Sequence, residues 1–161
     1  IAAKVTHNRE IALLAVDMKL FLAMVRKVAY RRAVGSLLRE QMGWTAEVGT
    51  GDALLCATAV IQQARRTGRA LYLVMVDMKT FFPKLRRDAV RAAELARGLP
   101  WDVVCLAGLI YGDHGDVEGA VKCQYDSAGG LGDEFSNWMG ALMGCVLSPD
   151  KAKIFLDSLN A

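Results

Sequence analysis

From Arg9 to Glu40 apolar residues recur at helical spacing, with Leu13, Val16, Leu20, Met24 and Val28 aligned on one face. The spacing predicts a long helix whose second half is crowded with cations. A turn-rich stretch from Met42 to Asp52 follows, and then a second helical pattern through Ala53, Cys56, Ala57, Val60, Ile61 and Ala64. Asp52 is placed to cap that helix and Gly68 to close it, just after Arg65 and Arg66, cations suited to the negative end of a helix dipole. The period then changes. Leu71–Val76 is a short unbroken apolar run flanked by Gly68, which predicts a strand buried on both faces and ending at Asp77.

Downstream, Asp88 is expected to cap a helix that runs to Arg97 and is closed by Gly98 and Pro100. Asp102 caps another through Val103, Val104, Leu106, Ala107 and Ile110, ending at Gly112. Between Asp116 and Tyr125 the apolar side alternates as Val117, Val121, Cys123 and Tyr125, the period of a half-buried strand. Ser127 to Gly132 reads as a turn, and Asp150 to Asn160 as a last helix with Ala152, Phe155, Leu156 and Leu159 inward. There is no internal repeat. The order implies an α+β fold, with helices packed on a small, mostly antiparallel sheet.

At 161 residues, 53% hydrophobic and with three prolines, the chain has the makings of one packed core and is neither disordered nor collagen-like. Its net charge of +3 hides an asymmetry: residues 1–100 hold 17 basic against 8 acidic side chains, residues 101–161 hold 3 against 9. A basic first part points toward a polyanion. Arg26, Lys27, Arg31, Arg32 and Arg39 form either a solvated helix face or a phosphate-contacting one. Cys56, Cys105, Cys123 and Cys145 are widely spaced with no C-x-x-C pair, so they read as reduced, mostly buried small hydrophobes of a reducing intracellular compartment. Two histidines are too few for a catalytic zinc site. The most apolar stretch, Ile11 to Val25, is interrupted by Asp17 and Lys19 and falls short of the roughly 20 residues of a membrane span.

Two places could carry chemistry. A carboxylate at the end of a buried strand, as expected for Asp77, costs several kcal/mol unless something pairs with it, and such carboxylates hold divalent metals in nucleotidyl transfer. The second is Met139–Pro149, where Gly140 and Gly144 allow close backbone approach to a ligand and Ser148-Pro149 opens a helix. It also reads as a plain loop into a capped helix.

Taken together the strings resemble a known family. LYLVMVDMKTFFPKLRRDAV (Leu71–Val90) resembles the first catalytic-aspartate motif of reverse transcriptases of the non-LTR retrotransposon type, an apolar strand followed by Asp and then Ala-Phe-Asp. GALMGCVLSP (Gly140–Pro149) resembles that family's G-V-x-Q-G-C-x-L-S-P. REIALLAVDMKLF (Arg9–Phe21) is similar to its R-P-I-x-L-L segment, and EQMGWTAEVGTGD (Glu40–Asp52) to its E-Q-x-G-F…T-x-D segment. ARRTGRALYL (Ala64–Leu73) and the stretch Leu109–Leu131 also run in step, so residues 9–160 are covered in order.

The resemblance implies the fingers and part of the palm of a right-hand polymerase, residues 1–70 as a helical basic fingers-like segment and 71–161 as partial palm. It implies RNA-templated DNA synthesis with Mg²⁺, an RNA template and a DNA primer. Asp77 would be catalytic and a metal ligand, and Phe82 the ring that screens the sugar 2′ position. Met143, Gly144 and Cys145 would line the nucleotide and template pocket, with Arg9 near the triphosphate and Arg26, Lys27, Arg31, Arg32 and Arg39 on the nucleic-acid backbone. Several positions depart from the pattern: Met143 stands for Gln, Pro83 for Asp, Phe81 for Ala, Glu10 for Pro and Thr45 for Arg. The family's aromatic-Ala-Asp-Asp hairpin would follow Asn160, and the chain stops at Ala161. The expectation is therefore a chain that does not polymerise DNA alone, or a catalytically dead remnant that serves as a structural subunit with protein partners.

Overall fold

The computed structural model describes residues 11–35, 37, 40–113, 119–127 and 129–159. It is an α+β fold whose core lies between the first helical rod and three later helices. Helix α1 (Val16–Val25) continues through one wide π-helical turn (Arg26–Tyr30) into α2 (Arg31–Gly35). The helix begins seven residues later than periodicity suggested: residues 11–15 are irregular, and the Ala12 N–H is spent on the Met143 carbonyl at 2.6 Å. The docking face also differs. Leu13, Val16, Leu20, Met24 and Val28 are exposed, while Leu22, Tyr30 and Ala33 are buried. Its first half, Val16–Val25, is apolar on most sides, so hydrophobicity alone does not choose the buried face. Polar anchors choose it: Arg26 reaches Asp150, and the Tyr30 hydroxyl donates to Glu94 Oε1 at 2.7 Å.

Helix α3 (Thr50–Thr67) is capped by Gly49, not by Asp52. Asp52 sits within the first turn and accepts from the Gly49 N–H at 2.7 Å, so its carboxylate still serves the helix start. Gly68 closes the helix in the left-handed region as expected. No residue of α3 is buried.

The expected strand at Leu71–Val76 is absent. Residues 69–78 carry no regular structure, and Leu71 through Thr80 are all exposed. A strand buried on both faces needs a neighbour on each edge, and among the described residues the strands are β1 (Val121–Ser127) and β2 (Gly130–Asn137), which pair with each other antiparallel. β1 overlaps the strand read from alternation over 121–125 and runs on to Ser127; residues 116–118 of that reading, Val117 among them, lie outside the described residues. β2 takes over the second half of the turn expected at Ser127–Gly132 and runs on to Asn137; Gly130, Gly132, Asp133 and Glu134 have poor strand propensity, so it forms by pairing alone, Cys123 opposite Phe135 and Val121 opposite Asn137.

Three helices complete the core: α5 (Arg87–Ala96), α6 (Trp101–Gly108), which tightens into a 3₁₀ turn at Leu109–Tyr111, and α7 (Ser148–Ser158). A short helix α4 (Phe81–Lys84) precedes them. Leu22, Tyr30, Val104, Ala107, Tyr111, Leu142, Leu147 and Ile154 pack together. Helix α7 departs most from its expected pattern. Ala152 is buried, but Phe155 and Leu156 are only half-buried and Leu159 is exposed, while Asp150, Lys151, Lys153 and Asp157 are buried. Each of those four polar groups has a distant partner: Arg26, Glu94, Thr45 and Arg97 respectively. All four cysteines are free, but Cys145 alone is buried; Cys105 and Cys123 are half-buried and Cys56 is exposed, since α3 packs so little. Among the described residues no helix is long and apolar enough to cross a membrane.

Candidate functional site

The loop from β2 into α7 is pinned to two other segments by backbone alone. Gly140 has φ +81°, and a Cβ there would lie 2.6 Å from the Phe82 carbonyl oxygen and 2.5 Å from that of Pro83. Next to it, the Ala141 N–H donates to the Phe82 carbonyl at 2.8 Å. Gly144, at φ +99°, brings its Cα against residues 11–12, where a Cβ would stand 2.5 Å from the Ala12 carbonyl oxygen. No L side chain fits either position without moving backbone. From below, Ser148 Oγ donates to the Leu142 carbonyl at 2.7 Å and lies 3.3 Å from the Tyr111 hydroxyl.

Aromatic contacts extend this junction. Trp44 meets Phe82 edge-to-face with ring centres 5.5 Å apart, and Phe81 meets Phe82 at the same separation. Lys153 Nζ donates to Thr45 Oγ1 at 2.6 Å, which ties the 40–48 turn to α7. Thr80, at the start of α4, adopts φ +55°, an unusual conformation for a β-branched residue, and turns the chain from the exposed run into Phe81–Pro83.

Two buried polar clusters hold the frame. The Arg87 guanidinium donates to the carbonyls of Gly140 (3.2 Å), Tyr111 (3.2 Å), Gly119 (2.8 Å) and Asn137 (3.0 Å), approaches Asp113 and stacks 5.0 Å over the Tyr111 ring. One cation thus joins the glycine loop, both ends of the hairpin and the end of α6. In the second cluster Glu94 accepts from Tyr30 and, at 2.8 and 3.1 Å, from Lys151. Burial pushes the Tyr30 phenol far above its ordinary pKa, and Glu94 beside it adds to the effect. Burial likewise raises Tyr111, with Cys145 next to it. Its hydrogen bond to Asp150 raises Arg26, and burial lowers Lys153. A gap of about 20 Å³ between Arg87, Glu94, Tyr111 and Lys151 has room for one water molecule.

The sequence-derived site residues divide accordingly. Phe82, Met143, Gly144 and Cys145 share the junction: Phe82 and Met143 are half-buried, Gly144 is exposed and Cys145 belongs to the core. Asp77 stands in solvent, five residues before Phe82, on the unpaired run and not on a strand. Among the described residues no three His, Cys, Asp or Glu side chains cluster as a metal site. Lys27, Arg31 and Arg32 are exposed, whereas Arg26 is already engaged by buried Asp150. Arg9 and Arg39 lie outside the described residues. Sequence reasoning missed Arg87, Glu94 and Lys151. Arg87 left one trace, a cation in the first turn of a helix, where the dipole disfavours it and some other contact must hold it.

No family model matches the chain, and no curated protein or solved structure matches it either.

Proposed function

We propose that this chain is a reverse-transcriptase-like module, the fingers and part of the palm of an RNA-directed DNA polymerase resembling the non-LTR retrotransposon type. One observation carries the reading. Four of the segments that resemble the family's ordered motifs meet at a single junction: Ala12 on Met143–Gly144, Trp44 on Phe82, and Phe82–Pro83 on Gly140–Ala141. Segments up to 132 residues apart in the chain converge there, Ala12 with Gly144 being the widest pair. Chance likeness of separate strings gives no reason for that convergence.

At this junction Phe82 and the loop around Gly144 form the wall against which a nucleotide's sugar and the template base would rest. Lys27, Arg31 and Arg32 would take phosphates of a template–primer duplex, which is gripped by shape and backbone. The residues present do not fit a two-Mg²⁺ centre. Such a centre holds two ions about 4 Å apart between several carboxylates, and Asp77 is a single, solvent-exposed one. By themselves these residues contribute binding and positioning, and Asp77 would supply at most one carboxylate of such a centre. The exposed apolar run before Asp77 favours a second role, a catalytically dead subunit covered by protein partners.

Two measurements test the reading. The chain should bind an RNA template–DNA primer duplex with affinity that falls steeply with salt, and replacing Lys27, Arg31 and Arg32 by Ala should reduce the salt slope by about 3. Joined to the family's Asp-Asp hairpin and thumb, it should extend a primer, and Asp77→Ala should abolish extension. Extension indifferent to Asp77→Ala, or no duplex binding even at low salt, sinks the proposal.

A further inference from the structure

Among the described residues, the long exposed apolar run Leu71–Val76 contains its own complement. Tyr72, Val74, Met75 and Val76 are 82–91% exposed, and among the described residues the backbone of 70–78 makes no hydrogen bond. The apolar run Leu71–Val76, with Tyr72, Val74 and Val76 and with neither proline nor charge, suits addition to another strand when one is offered. Arg69 lies four residues before Leu73 and Asp77 four residues after it, both exposed and neither in an ion pair among the described residues. In an extended strand 69, 71, 73, 75 and 77 share one face.

We propose that two copies of this chain associate by antiparallel pairing of this segment about a two-fold axis through Leu73. In that register Leu73 meets Leu73, Leu71 meets Met75, and Arg69 meets Asp77 at both ends, the self-complementary pattern a two-fold interface requires. Charge selects the register. Sliding the strands by two residues sets Arg69 against Lys79 or Met75, and a parallel in-register pairing sets Arg69 against Arg69 and Asp77 against Asp77. Behind the run, Leu71 and Leu73 share a groove with Ile61 and Ala64 of α3, which backs the paired strands on one face. This inference does not rest on the polymerase reading.

The test is sedimentation equilibrium on the whole chain, with charge reversal as the probe. The chain should dimerise reversibly, and Arg69→Asp or Asp77→Arg should each raise the dimer Kd about tenfold or more. The combined Arg69→Asp/Asp77→Arg variant should return it to within about threefold of the parent. All these side chains are exposed, so the monomer keeps its fold. Register is read separately in a Cys56→Ser background under mild oxidation. Leu73→Cys should link to itself, and Leu71→Cys should stay unlinked unless Met75→Cys is added. A monomer at roughly 100 µM, a Kd indifferent to either single reversal, self-linking of Leu71→Cys, or fibres in place of a dimer would each overturn the proposal.

Discussion

The pair Glu94–Lys151 is the sharpest place to test how this fold is held. Glu94 is wholly buried on α5, Lys151 is 6% exposed on α7, and the Tyr30 hydroxyl from the π-helical turn is Glu94's second partner. Glu94→Leu leaves a buried ammonium with no counter-charge, which costs about 3–5 kcal/mol, and strands a phenol hydroxyl for about 1 kcal/mol more. Lys151→Met leaves a buried carboxylate with one neutral donor, at a similar cost. Glu94→Leu/Lys151→Met removes both charges and fills the space with apolar atoms, so its stability should lie within about 2 kcal/mol of the parent. Domains of this size unfold with about 5–15 kcal/mol, so each single variant loses a large fraction of its stability. Urea unfolding followed by circular dichroism and tryptophan fluorescence measures all four proteins, provided the slope m is unchanged. The coupling energy should be at least about 3 kcal/mol. A double variant as unstable as the sum of the singles would falsify this account, as would singles costing under about 1 kcal/mol, the scale of exposed ion pairs.

The glycine loop and the buried phenols give two more expectations. Gly140→Ala should cost at least about 3 kcal/mol, because strain at φ +81° adds to a collision with two carbonyls, while Gly68→Ala, at φ +65° with open space around it, should cost only about 1 kcal/mol. Equal losses in thermal unfolding would show that the contact at Phe82–Pro83 is not tight. The phenols of Tyr30 and Tyr111 are held above their ordinary pKa, so their contribution is complete below pH ~10 and is lost as the pH rises further, by about 1.4 kcal/mol per pH unit for each. Lys153, lowered by burial, works the other way until its unfolded pKa near ~10.4 is passed. Above that point Tyr30→Phe should remove one tyrosine's share of the slope in Tm against pH; an unchanged slope would place the loss elsewhere.

Much of the helical content was legible because local physics decides it. Asp88 and Asp102 lie one residue inside α5 and α6, in the first turns and not at the caps expected of them, which are Arg86 and Pro100, while Gly68, Gly98 and Gly112 end helices with positive φ as expected. Where a neighbour decides, reading along the chain failed. The apolar run at 71–76 has a strand's composition and no strand to pair with, and β2 has a loop's composition and a partner in β1. At the candidate site, Gly140 and Gly144 could be singled out from the sequence and Phe82 from the family resemblance, but Arg87 could not, because its four carbonyl partners come from residues 24 to 53 positions away.

By itself, then, the chain's order of residues determined that most of the long helical segments coil, that glycines stop several of them, and that a glycine loop would precede a last helix. Those outcomes depend on spacings of a few residues, over which propensity, capping and periodicity act. The tertiary structure alone decided which side of the 16–35 rod faces inward, that charged residues of α7 lie in the interior, and that residues 12, 44, 82 and 140–144 meet. Burying a charge is tolerable only when its counter-charge arrives, and here the counter-charges come from positions as far apart as 26 and 150.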